Sequence, residues 1–386
     1  MIRDPESFKL LLDTIERFVR ERLIPREAEV AETDSIPADV LVEMRRMGLF
    51  GLTIPEEFGG LGLSCEEEAL SAMALCKASP AFRSIIGTNN GIGSLGIVID
   101  GTDAQKEKYL PRLAAGELIG SFALTEPGSG SDAASLSTSA RRSGDYYIVN
   151  GAKRYITNAP QAGLFTLMAR TDAQSKDAGG VSAFIVERDS PGLVVGKPDR
   201  KMGQRGAQTA DVTFVDVKVP AANVIGGVEG MGFKTAMKVL DKARLTIAAV
   251  CVGAATRILD EALNYAVERK QFSRAIGEFQ LVQAMLADSQ TELYAAKSMT
   301  LDAARKRDAG ETVTMEASCC KLYASEMVGR VADRAVQIHG GAGYMQDYAV
   351  ERFYRDVRLF RIYEGTSQIQ QLVIARSMMK AIRGSS

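Results

Sequence analysis

The sequence predicts a mainly α-helical protein with a β insert. An N-terminal helical domain spans 1–120, a middle β-barrel-like domain 121–231, and a C-terminal four-helix bundle 232–386. Three observations predict this. Apolar residues recur at helical spacing through the first 120 residues or so, and short strand-like runs separated by turn residues fill 121–230. The helical period then returns at Gly232 and persists. A chain of 386 residues is also too long for one simple core.

Asp4-Pro5-Glu6 reads as N-cap, N1 and N2 of a first helix, along which Phe8, Leu11, Leu12, Ile15, Phe18, Val19 and Leu23 recur until Pro25 disturbs it. Residues 38–49, 65–77 and 103–113 are further helices, with a glycine-rich loop at 55–63. In the insert, 121–125, 146–149, 164–170, 181–186, 193–195 and 212–219 are strand candidates. Asn150-Gly151 signals a two-residue hairpin. Long helices at about 233–268, 278–307 and 312–339, and a last one after Thr366, suffice for an antiparallel bundle.

Composition excludes several function classes. The net charge is -1 with no global basic footprint, so nucleic acid is not an expected partner. The single histidine, His339, argues against Ser-His-Asp hydrolysis and multi-histidine metal sites. The five cysteines match no metal spacing, so no metal is expected. No apolar run is long enough for a membrane span. An odd cysteine count and an acidic N-terminus predict a cytoplasmic protein, a mature mitochondrial-matrix form being the alternative.

The most informative motif is Tyr363-Glu364-Gly365-Thr366, after a basic amphipathic run from Arg352 to Arg361. Gly365 permits a positive φ and close approach to a ligand. Apolar neighbours would raise the pKa of Glu364 toward neutrality and suit it to abstract a carbon-bound proton; the alternative is a solvated helix end. The loop at 124–132, Leu-Thr-Glu-Pro-Gly-Ser-Gly-Ser-Asp, could converge backbone N–H and hydroxyl groups on a ligand or be a long turn. Arg154-Tyr155-Ile156-Thr157-Asn158 could line a flat cofactor or be strand core. Gln337 to Tyr344 carries three glycines in four residues after a long helix, and His339 there reads as a capping or buried structural group. Asp241-Lys242-Ala243-Arg244 and Arg269-Lys270-Gln271-Phe272 could anchor phosphates or be solvated helix faces.

Together these motifs, with Gly230-Met231-Gly232-Phe233 and Phe58-Gly59-Gly60, resemble the acyl-CoA dehydrogenase family over essentially the whole chain. The resemblance implies FAD as cofactor and a homotetramer built as a dimer of dimers. It implies oxidation of an acyl-CoA thioester to the trans-2-enoyl-CoA, as in fatty-acid β-oxidation, with electrons passing to an electron-transfer flavoprotein. Glu364 would then be the α-proton base, the β-hydrogen leaving as hydride to the flavin, and the thioester carbonyl would be held partly by the backbone N–H of Glu364. Some members place the base just before the arginine matched here by Arg244; Ala243 stands at that position, which strengthens Glu364.

The resemblance also implies the remaining contacts. Phe122, Leu124, Thr125 and Ser131 would meet the flavin or the CoA chain, and Tyr155, Ile156 and Thr157 would flank the isoalloxazine. Arg269, Phe272, Gln280, Gln337, Gly340 and Gly341 would reach the FAD of a neighbouring subunit, and Thr366 and Gln368 would contact FAD. Asp241, Arg244, Tyr363 and Gly365 would lie on the substrate side. Ser273, Tyr155 and Phe122 depart from the residues common in the family, which bears on redox tuning. Arg83, in an aromatic-Arg-Ser setting like that of the glutaryl-CoA branch, would hold a distal carboxylate; the alternatives are an exposed Arg at a helix start or a pair with a protein carboxylate. Competing readings are a dicarboxylyl-CoA dehydrogenase, with or without decarboxylation, an acyl-CoA oxidase, and a non-dehydrogenating flavin- or CoA-binding protein of the same fold.

Overall fold

The computed structural model describes residues 1–175 and 177–384. The chain opens with α1 (Pro5–Phe18), begun as the sequence predicts: the Asp4 carboxylate accepts from the N–H groups of Glu6 and Ser7, and Pro5 fills N1. The helix buries Phe8, Ile15 and Phe18, continues as a π turn to Leu23, and tightens into a 3₁₀ turn at Pro25, which has no N–H to donate. Then come α2 (Glu27–Thr33), α3 (Ala38–Arg46), α4 (Cys65–Leu75), α5 (Pro80–Thr88), α6 (Leu95–Asp100) and α7 (Asp103–Ala114). Reciprocal capping boxes start two of them, Ser64 with Glu67 at α4 and Thr102 with Gln105 at α7.

The central sheet comprises β1 (Gly120–Ala123), β2 (Ser139–Ser143), β3 (Tyr146–Thr157), β4 (Leu164–Arg170), β5 (Val181–Glu187), β6 (Leu193–Val195) and β7 (Thr209–Pro220). The strand order is β1-β4-β2-β3-β7-β6, with β5 antiparallel on β4. β4 and β5 are buried along both faces and read as continuous apolar runs, whereas β7 alternates.

One expectation fails here. Asn150-Gly151 is not a hairpin turn: β3 runs straight through it, and the β2–β3 hairpin turns at Gly144-Asp145. The pairing of β3 with β7 shifts register between Val149 and Gly151, a bulge. The Asn150 side chain clasps Asp216 across it, accepting from the Asp216 N–H at 2.9 Å and donating to its carboxylate at 3.0 Å. Gly151 has φ 152°, and a Cβ there would lie 2.5 Å from Thr138 Oγ1. The same two residue types that close hairpins thus serve a bulge at which backbone approaches backbone.

The C-terminal part holds α8 (Gly232–Glu268), a short hairpin of β8 (Lys270–Gln271) and β9 (Arg274–Ala275), α9 (Gln280–Asp308), α10 (Thr314–His339), α11 (Ala349–Val357) and α12 (Ser367–Gly384). α8 buries nearly every residue from Arg244 to Ala255, many of them alanine, because it is covered by α4 on one side and by the other bundle helices on the other. This arrangement carries α5, the end of β3, the middle of α8 and the loop before α12 to a common cleft.

Candidate active site

The cleft lies between the helical parts and the sheet. Arg83 and Gly87 of α5, Thr157 of β3, Thr246 of α8, and Tyr363 with Glu364 all line it. Glu364 is presented by a sharply bent loop between α11 and α12. Glu364 and Gly365 both take left-handed conformations, φ 54° and 87°. A Cβ on Gly365 would sit 2.6 Å from Gln370 Nε2, so glycine is required on two counts. The fully buried Gln370 donates from Nε2 to the carbonyls of Glu364 and Gly365, each at 3.0 Å. Lys321 Nζ donates to the Gly365 carbonyl at 2.7 Å.

The Glu364 side chain is half-buried, and its Oε2 has no hydrogen-bond partner. Burial raises its pKa above the ordinary carboxylate value, against the opposing fields of Lys321, Arg83 and Arg244. Its backbone N–H makes no hydrogen bond among the described residues. A free carboxylate oxygen and a free N–H on one strained residue can take a proton and polarise a carbonyl of the same ligand.

Arg83 lies in the first turn of α5, as one alternative had it, but is half-buried rather than exposed, and it is not paired. No carboxylate among the described residues lies within ion-pair distance. Arg244 and Asp241 form one unit at 2.5 Å; Arg244 is buried with Nε unpartnered, and Asp241 also accepts from Thr314. Tyr363 packs beside Phe360, and burial pushes its phenol well above the ordinary value.

On the sheet side, Phe122 and Leu124 are core residues; their side chains face the apolar cluster, leaving backbone and edges for a ligand. Thr125 is half-buried, and its carbonyl accepts from the Arg154 N–H at 2.8 Å. Ser131 is exposed in an open loop, where a Cβ on Gly128 or Gly130 would meet nothing within 4 Å. The 154–158 segment is not simple strand core: Ile156 is buried, but Tyr155 is 63% exposed with φ 58°, the Arg154 guanidinium 5.3 Å from its ring centre. An exposed aromatic, an open glycine loop and Thr157 on the cleft wall fit a flat polar cofactor laid along this edge.

The remaining predicted residues lie elsewhere. Arg269, Phe272, Gln280, Gln337, Gly340, Gly341 and Gln368 are exposed and do not line the cleft. Thr366 is spent largely on capping α12, its Oγ1 accepting from the Ile369 N–H at 3.2 Å. His339 is structural, as read: buried, its Nδ1 at 2.8 Å from the Ala335 carbonyl, its ring stacked on Tyr265.

Sequence reasoning missed Lys321, Gln370 and the buried pair Lys153–Glu126, whose atoms meet at 2.7 Å behind Leu124. A signal for Lys321 exists: it shares a stripe with Ala317, Cys320, Ala324 and Val328, where a lysine interrupts an otherwise apolar face.

Three family models match the chain in order: acyl-CoA dehydrogenase N-terminal domain over 5–117, middle domain over 121–217, and C-terminal domain over 230–379. The chain belongs to the acyl-CoA dehydrogenase family. Its members are FAD-dependent flavoproteins, and FAD is the cofactor of this one. The chain is 44% identical to the caffeyl-CoA reductase-Etf complex subunit CarC of Acetobacterium woodii, over 91% of this chain and 92% of that protein. It is 40% identical to an acyl-CoA dehydrogenase of Bacillus subtilis, over 94% and 95% of the two chains. The structure of butyryl-CoA dehydrogenase from Megasphaera elsdenii superposes with a TM-score of 0.94 at 34% identity, covering 98% of this chain and all of that one. The similar proteins thus include both dehydrogenases and reductases. No helix among the described residues is long and apolar enough to cross a membrane.

Proposed function

We infer that this flavoprotein interconverts an acyl-CoA thioester and its trans-2-enoyl-CoA, with α,β-dehydrogenation the forward reaction and Glu364 the base. The observation that carries this reading is the unpartnered Glu364 carboxylate beside its own free N–H in the cleft. The N–H would donate to the thioester carbonyl oxygen and stabilise the enolate that develops as Glu364 takes the α-proton. Arg244 and Arg83 add positive potential where that negative charge forms. FAD, when bound, accepts the β-hydrogen as hydride. Tyr155, Ile156 and Thr157 would flank the isoalloxazine, and Phe122, Leu124, Thr125 and Ser131 would hold the cofactor and the CoA chain.

Exposed Arg269, Phe272, Gln280, Gln337, Gly340 and Gly341, with Phe272 89% exposed at the tip of the β8–β9 hairpin, would serve the FAD of a second subunit in a homotetramer. An electron-transfer flavoprotein is the proposed redox partner, since the Acetobacterium relative is a subunit of a reductase-Etf complex. A cytoplasmic location is proposed with it.

The raised pKa of Glu364 fixes the sign of a pH test. As base, Glu364 must be ionised, so bleaching of the flavin by a saturated thioester is expected to accelerate as pH rises through a pKa above the ordinary carboxylate range. In the reduction direction the protonated acid is needed, and reoxidation by an enoyl thioester is expected to slow through the same ionisation. Stopped-flow absorbance across pH measures both; a flat profile in both directions would remove Glu364 from the proton transfer.

A second reading, a dicarboxylyl-CoA substrate, is favoured by one observation: Arg83 lines the cleft with no carboxylate partner. Arg83→Ala is then expected to lower kcat/KM for glutaryl-CoA about 10- to 100-fold, the loss of one charged hydrogen bond, while sparing butyryl-CoA. Equal losses on both thioesters would assign Arg83 to the charge of Glu364 instead.

A further inference from the structure

Lys321 has no surface exposure, and its one hydrogen bond goes to a neutral group, the Gly365 carbonyl. No carboxylate among the described residues lies within ion-pair distance of it. An ammonium buried in this way is costly unless a nearby negative charge repays it. The groups that face it are Cys251 and Arg244 from α8, Glu326 on its own helix, and Glu364. Burial keeps the Cys251 thiol protonated, and Arg244 is repulsive. Glu326 is already engaged by Arg361 at 3.2 Å and Ser367 at 2.6 Å. Glu364 is therefore the unengaged anion in its field.

The surroundings of Glu364 point the same way. Three cations act on it: Lys321, Arg83 and Arg244. Arg244 is bound to Asp241, and Arg83 opens to the cleft where a ligand would meet it. Lys321 lies behind the loop and does not line the cleft, so its charge is independent of what the cleft holds. Its bond to Gly365 also fixes the two left-handed residues that aim the carboxylate.

We propose that Lys321 is a positioning residue for Glu364, a buried counter-charge outside the cleft that favours the ionised carboxylate and holds its loop bent. This rests on the role of Glu364 given above. Burial lowers the Lys321 pKa to about 8, so the charge is present at neutral pH and fades in alkaline solution.

The test is infrared titration of the FAD-loaded protein without substrate, the protonated Glu364 band being assigned by its disappearance in Glu364→Gln. In Lys321→Met the midpoint is expected to rise by about one pH unit or more, as removal of a cation from a poorly screened site requires. Lys321→Gln retains a donor for the Gly365 carbonyl but no charge and is expected to show the same rise; Lys321→Arg retains the charge and should remain near the parent. A parent-like midpoint in the folded, flavin-replete Met or Gln variant would overturn the proposal and leave Lys321 as a loop anchor only. The midpoint is read whether or not Glu364 is the catalytic base; that question is decided by the turnover of Glu364→Gln.

Discussion

Glu364→Gln is expected to slow anaerobic flavin bleaching by a saturated acyl-CoA about 10³-fold, within the range that a positioned general base supplies. The carboxamide preserves the size of the side chain and the backbone N–H, while the clamps from Gln370 and Lys321 hold main-chain carbonyls that the substitution does not touch. Flavin content and thioester binding should therefore survive, and the loss should fall on the chemical step. Rapid-mixing absorbance measures it at saturating thioester. A variant that bleaches at the parent rate would sink the mechanism while leaving the fold and cofactor untouched.

The second large effect is on stability. Lys153→Met removes the ammonium from a pair in which Lys153 is fully buried and Glu126 nearly so. Burial lowers Lys153 to about 8 even beside its partner. For Glu126, burial opposes ionisation, but the Lys153 charge and the bonds from Ser137 and Thr138 prevail and hold it at about 2. Stranding that carboxylate is expected to destabilise the protein by about 3–5 kcal/mol, the usual result of removing one member of a buried pair. In the parent this contribution is complete between the ordinary carboxylate pKa and the Lys153 pKa of about 8, and is lost as pH falls toward 2; in Lys153→Met the share due to the ammonium is absent throughout.

The same substitution should loosen flavin. Lys153 also bonds the Leu124 carbonyl at 3.0 Å, and Glu126 anchors the start of β2 through Ser137 and Thr138. The open loop carrying Ser131 lies between these anchors. Chemical denaturation and flavin release on dilution measure the two effects. Unchanged stability would mean that Glu126 finds another partner or water.

Much of this was legible in the sequence. The α, β, α order follows from periodicity because α9 and α10 keep one regular stripe against neighbours over many turns. Glu364 and Gly365 stand out because turn chemistry and a carboxylate coincide there. What was not legible depends on contacts distant in sequence. Lys321 shows its place on the buried stripe of its helix, but its partner, a carbonyl 44 residues later, is visible only in the fold. Lys153 and Glu126 are 27 residues apart and meet only because β3 passes beneath the loop. Asn150-Gly151 has the composition of a turn, and only the clash of a Cβ with Thr138 and the clasp of Asp216 show that a bulge uses it. Tyr155 carries a strand-forming side chain on a left-handed backbone, which local propensity does not foresee.

The most direct test of the central claim is an anaerobic titration of the purified flavoprotein, followed by visible absorbance, with straight, branched, aryl and dicarboxylyl CoA thioesters. Saturated thioesters would be added to the oxidised protein and enoyl thioesters to the reduced one. The predicted result is that one saturated thioester bleaches the flavin and its enoyl counterpart restores it, with both steps lost in Glu364→Gln. A flavin-replete protein whose absorbance no thioester of either kind changes would contradict the assignment of Cα–Cβ redox chemistry to this cleft.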